Sequence, residues 1–68
     1  MSKPLTPKEE RITALVAEGL PNKDIAGIVG TPEYGVKNDL KTIFHKTGTR
    51  TRVQLALWYV KGNLIHAA

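Results

Sequence analysis

The sequence predicts an all-α architecture, a compact domain of four helices, and three patterns carry that expectation. Apolar residues recur at intervals of three and four, the period of a helix face, and no alternating strand pattern competes with it. Each apolar stretch follows a threonine or proline start signal, a residue type suited to the first turn of a helix. Each also runs into a glycine, the residue best able to take the left-handed turn past a helix end. The chain has 68 residues, 41% of them hydrophobic, enough for one domain with one small core. Residues 1–5 and 63–68 are expected to be tails.

Thr6-Pro7-Lys8-Glu9 opens the first helix. Thr6 suits the cap, Pro7 the first turn, and Glu9 stands where a capping box needs an acid. Ile12, Leu15 and Val16 follow, and Gly19 ends a helix over 7–18. The second helix, over 22–29, carries Ile25, Ile28 and Val29 and stops at Gly30. Thr31 is the expected cap of the third, with Pro32 in its first turn and Glu33 near the positive end of its dipole. Val36, Leu40, Ile43 and Phe44 form its inward stripe, and Gly48 closes a helix over 32–46. Thr51-Arg52-Val53-Gln54 is a second capping-box pattern. It starts a helix over 52–61, with Leu55, Ala56, Tyr59 and Val60 on one stripe and Gly62 as its stop.

Composition excludes several kinds of chemistry. There is no cysteine, hence no disulfide and no thiolate metal site. His45 and His66 are the only histidines, far apart and with no acidic cluster beside them, so no metal site is expected. Ser2 is the only serine, no paired carboxylates occur, and no glycine-rich phosphate loop is present. No catalytic residue and no cofactor is expected, and so small a chain has no room for a substrate pocket of its own. The longest apolar run, Leu55 to Val60, falls far short of the ~20 residues of a membrane span. No signal peptide is recognisable, so a soluble cytoplasmic protein is the expectation.

Charge is unevenly shared. Residues 1–33 hold four basic and five acidic groups, whereas residues 34–68 hold six basic groups against Asp39 alone. The net charge of +4 therefore sits in the second half of the chain. A positive half suits a polyanion, although a solvated basic face would look the same. The order of the helices separates the two. Helices two and three are joined through Gly30 and Thr31 alone, the tight connection of a helix-turn-helix. The second helix of such a pair lies in the major groove of DNA. Here its outward face carries Tyr34, Lys37, Asn38, Lys41 and His45. Lysine suits phosphate oxygens or guanine, and asparagine suits adenine.

Several segments resemble the LuxR/GerE-type DNA-binding domain. They are Leu5-Thr6-Pro7-Lys8-Glu9, Val16-Ala17-Glu18-Gly19-Leu20 and Asn22-Lys23-Asp24-Ile25-Ala26. Val36-Lys37-Asn38, Ile43, Lys46, Gly48 and Arg52 continue the likeness at the family's spacings. The resemblance covers residues 5–60. It implies a third helix in the major groove and a fourth used for dimerisation. Lys37, Asn38 and Lys41 match positions where the family touches bases, and Lys46 matches a phosphate contact. Asn22 and Lys23 match the start of the second helix, where backbone N–H groups approach phosphate. Tyr34, His45, Arg50 and Arg52 complete the expected DNA-facing set. Four departures stand out. Pro21 replaces a serine or threonine cap, so Asn22 or Asp24 is expected to cap instead. Gly35 replaces a threonine that contacts the DNA backbone, and Asp39 replaces a histidine. Thr47 and Thr49 replace an apolar pair.

Leu57, Trp58 and Lys61 lie away from the centre of the fourth helix's inward stripe. They are the expected homodimer contact, the alternative being that Trp58 covers a thin core. A two-fold dimer would set two recognition helices on successive major grooves. The expectation is therefore a sequence-specific, dimeric transcription regulator of double-stranded DNA, free-standing without a sensor domain. The alternative is an interaction module that pairs with a related regulator or with RNA polymerase and modulates its DNA binding.

Overall fold

The computed structural model describes residues 4–67, with side chains described through Gly62. Four helices follow one another: α1 (Pro7–Ala17), α2 (Asn22–Val29), α3 (Glu33–Thr47) and α4 (Arg52–Ala67). There is no strand among the described residues. The all-α expectation holds, and α2 has the bounds that the sequence predicts.

The core is assembled from all four helices. Ile12 and Val16 of α1, Ile25 and Ala26 of α2, Val36, Leu40 and Ile43 of α3, and Leu55 of α4 are buried together. Leu5, Leu15, Leu20, Val29 and Phe44 close its edges. Leu5 thus belongs to the fold rather than to a tail, because its apolar side chain packs against the core cluster. Two residues expected inward are largely exposed, Ile28 at 45% and Val60 at 45%. Ile25 and Ala26 already fill the inner side of α2, and Leu55 is the buried anchor of α4, which leaves Ile28 and Val60 at the rims.

Three helices end in the same way. Gly19, Gly30 and Gly48 have φ of 89°, 72° and 71°, the left-handed region open to glycine. After α1, the Leu20 N–H donates to the Leu15 carbonyl (3.2 Å) and the Gly19 N–H to the Val16 carbonyl (2.9 Å). This is the Schellman pattern. The Thr31 N–H to the Ala26 carbonyl and the Thr49 N–H to the Phe44 carbonyl repeat its longer bond.

Gly62 does not stop α4. It lacks the left-handed conformation, and the backbone stays helical through Ala67. A glycine with an ordinary helical backbone costs ~1 kcal/mol but does not terminate a helix. The expected tail at 63–68 is therefore helical as far as 67, and residue 68 lies outside the described residues, as do residues 1–3 of the other tail.

Candidate nucleic-acid interface

The outward face of α3 follows from its inward one. With Val36, Leu40 and Ile43 locked in the core, Lys37, Asn38, Lys41 and His45 are left exposed, and Tyr34 is 72% exposed. Lys37 and Lys41 are one turn apart. Among the described residues neither has an ion-pair partner, so both keep their donors for an external acceptor. Arg50 is exposed in the turn before α4, its backbone N–H bonded to the Gln54 side chain (2.8 Å). Lys23 is exposed in the first turn of α2.

The other three cations and polar groups expected there have partners within the molecule. The Lys46 ammonium sits 2.7 Å from Glu9 Oε1, both side chains mostly buried. That bond, with the Thr6 backbone N–H, holds the Glu9 carboxyl below its ordinary pKa. Glu9 thus both completes the capping box with Thr6 and ties α1 to α3. The Arg52 guanidinium donates to Asn22 Oδ1 (2.5 Å) and to the Leu20 carbonyl (2.6 Å). It joins the start of α4 to the turn between α1 and α2.

The starts of α2 and α3 differ from expectation. Pro21 and Pro32 are their N-caps, and neither helix has a side-chain cap. Asn22 does not replace the missing cap, because its oxygen is taken by Arg52. Asp24 does not cap either, and its own N–H donates to the Pro21 carbonyl (3.0 Å). Thr31 is not the cap of α3: it stands one position too early, and its methyl lies over Gly35. A Cβ at Gly35 would be 2.7 Å from that methyl, which explains a glycine in the first turn of α3.

Asp39 is not a bare anion. Its Oδ2 lies 3.3 Å from the Lys8 ammonium of α1. The same oxygen makes no well-aligned hydrogen bond, so the contact is one of charge rather than of direction. The sequence carried no signal for Lys8, whose partner is on a different helix. Thr47 and Thr49 replace an apolar pair by bonding each other, with their hydroxyls 2.8 Å apart, and Thr47 also reaches the Ile43 carbonyl.

On α4, Leu57 is 55% exposed and Trp58 40%, with Lys61 exposed beside them. Val53 and Val60 extend this surface. Among the described residues, no three metal-ligating side chains cluster, and no helix is long and apolar enough to cross a membrane.

A short turn between two helices, with a cationic exposed face on the second, is the arrangement of a helix-turn-helix. The chain matches the family described as bacterial regulatory proteins, luxR family, over residues 3–59. The chain belongs to the LuxR family. The curated relatives that it matches include a probable transcriptional regulator and response regulators. The chain is 40% identical over 62 residues to the probable transcriptional regulator ycf29 of Porphyra purpurea, covering 91% of this chain and 30% of that one. It is 43% identical over 54 residues to the nitrate/nitrite response regulator protein NarL of Escherichia coli strain K12, covering 79% and 25%. It is 36% identical over 59 residues to the response regulator Rre1 of a Synechocystis strain, covering 87% and 26%. The chain thus spans less than a third of the length of these LuxR-family relatives. No solved structure matches it.

Proposed function

We propose that this domain binds duplex DNA sequence-specifically as a dimer and so regulates transcription, in the cytoplasm where such regulators meet their DNA. The observation that carries this reading is the exposed Lys37, Asn38, Lys41 and His45 face of α3, set directly after the turn from α2. In the proposal α3 enters the major groove. Lys37, Asn38 and Lys41 contact base edges, and Tyr34 and His45 flank them. Lys23 and Arg50 neutralise phosphates and set the register. Asn22, Lys46 and Arg52 act mainly by holding the frame, since each already has a partner within the molecule.

The apolar surface of Leu57 and Trp58, with Lys61 at its edge, supports the dimer contact on α4. Exposed apolar clusters on a small domain mark contact sites. Replacing Trp58 with Ala is expected to shift a monomer–dimer equilibrium measured by analytical ultracentrifugation while helix content is kept. Loss of helix content with association unchanged would make Trp58 a core residue instead.

The direct test is selection from random duplex DNA followed by sequencing, at low and moderate salt. A short enriched palindrome with a steep salt dependence is expected. Binding without enrichment would leave a non-specific basic domain. Absence of binding would favour the interaction module, a partner of a related regulator or of RNA polymerase.

A further inference from the structure

Two consecutive residues of α1 hold α3 by opposite charges. Lys8 reaches Asp39, and Glu9 reaches Lys46. Asp39 and Lys46 are two helical turns apart on α3, roughly 10 Å along its axis. Contacts of opposite sign at two heights resist both sliding and rotation of α3. A slip of one turn would carry Asp39 away from Lys8 and Lys46 away from Glu9. The Glu9–Lys46 contact is mostly buried and doubles as the cap of α1, so it also carries stability. The Lys8–Asp39 contact is different. Its side chains are 50% and 31% exposed, and ion pairs of that kind add little to folding. Its position matters more, because Asp39 is the single anion in the chain's otherwise cationic second half.

We propose that Lys8 and Asp39 form a positioning pair for the reading helix, fixing from α1 the angle at which α3 presents Lys37, Asn38 and Lys41 to base edges. This rests on the DNA-reading function proposed above. The pair touches no base. It acts through the rotation of α3, and it cancels a negative charge that would otherwise stand near phosphates. Its signature is therefore in the preference for one sequence over another, more than in affinity for DNA at large.

A charge exchange tests it. Lys8→Asp, Asp39→Lys and the double exchange would each be titrated with the duplex enriched from the wild type. A scrambled duplex of equal length, at the same salt, is the reference. Each single exchange moves the net charge of +4 by two units, one down and one up, while the double exchange leaves it at +4. Net charge acts on both duplexes alike, so it cancels in the ratio of their affinities. Each single exchange is expected to lower that ratio about threefold, the scale of a half-exposed pair, and the double exchange to restore it. An unchanged ratio in the single variants, or a double variant no better than either, would overturn the proposal. Circular dichroism of each variant checks folding, and Lys8→Met with Asp39→Asn replaces any exchange that unfolds. A wild type that prefers no duplex would remove the DNA-reading function itself, and this pair's role with it. That outcome is visible before any variant is made.

Discussion

Helices α1 and α4 begin differently from α2 and α3. Thr6 accepts the Glu9 N–H at 3.2 Å, and Glu9 returns the bond to Thr6. Thr51 accepts the Gln54 N–H at 3.1 Å, and Gln54 reaches back to the Arg50 N–H. The helices of the helix-turn-helix open on Pro21 and Pro32 with no side-chain cap. A missing cap costs a helix about 1 kcal/mol. The outer pair of helices therefore closes its first turns with side chains, while in the other pair the corresponding N–H groups, of Asp24 and Gly35, turn to the Pro21 and Pro32 carbonyls. The polar anchors do not follow that division by helix: Lys46 of α3 is tied to Glu9 of α1 and Arg52 of α4 to Asn22 of α2, whereas among the described residues Lys37 and Lys41 of α3 have no ion-pair partner. Side-chain capping is concentrated in one pair of helices, and the proposed recognition face lies in the other.

This division can be broken most sharply at Glu9. Replacing it with Ala removes half a capping box and strands the mostly buried Lys46 ammonium. The expected loss is about 3 kcal/mol, enough to unfold much of a small domain, measured by urea titration. Its pH dependence has a definite sign. The Glu9 pKa is lowered in the folded state from an ordinary value of 4.5, so its contribution is present above that pH and is lost as pH falls below it. Glu9→Gln should flatten the acid limb of a stability-against-pH curve, and an unchanged limb would show that other carboxylates set it.

Lys41→Ala lies on the other side of the division. It should cost roughly 1–3 kcal/mol in binding to the enriched duplex and leave the melting temperature almost unchanged. An equal loss on every duplex would make Lys41 a phosphate contact. Thr6→Ala should cost about 1 kcal/mol of stability, read from thermal melts, with no change in DNA affinity of the folded protein. The smallest effect is at Gly35. Alanine there gains helix propensity but meets the Thr31 methyl. Gly35→Ala alone should be close to neutral, and in a Thr31→Ala background it should stabilise by about 0.5 kcal/mol. A full gain without touching Thr31 would mean that the methyl yields freely.

Local signals carried most of the architecture. The capping box at Thr6, the glycines at 19, 30 and 48, and the Val36, Leu40 and Ile43 stripe each act within one or two turns, so their spacing is visible in the chain. The errors also have local causes. Thr31 looked like a cap because it precedes Pro32, but the proline itself occupies that position. Gly62 looked like a stop, although only a left-handed backbone makes it one. Ile28 and Val60 share a period with buried neighbours and still fall at the rim. For the candidate interface, the exposed row on α3 could be read from its inward stripe. The partners of Lys46, Arg52 and Asp39 could not, since Glu9 lies 37 residues from Lys46 and Asn22 lies 30 from Arg52. No periodicity reports which helices meet.

The three left-handed glycines have a consequence for how quickly the molecule assembles. Each reverses the chain within a few residues, so neighbouring helices can meet without the closure of a long loop. The most extensive packing joins the first and last helices, α1 and α4, but small all-helical chains still fold on a scale of about microseconds to milliseconds. A stopped-flow or temperature-jump trace should relax in a single fast phase. Placing a valine at any one of the three positions should lengthen that phase most at Gly30, because α2 and α3 pack together more extensively than the helices joined through Gly19 or Gly48.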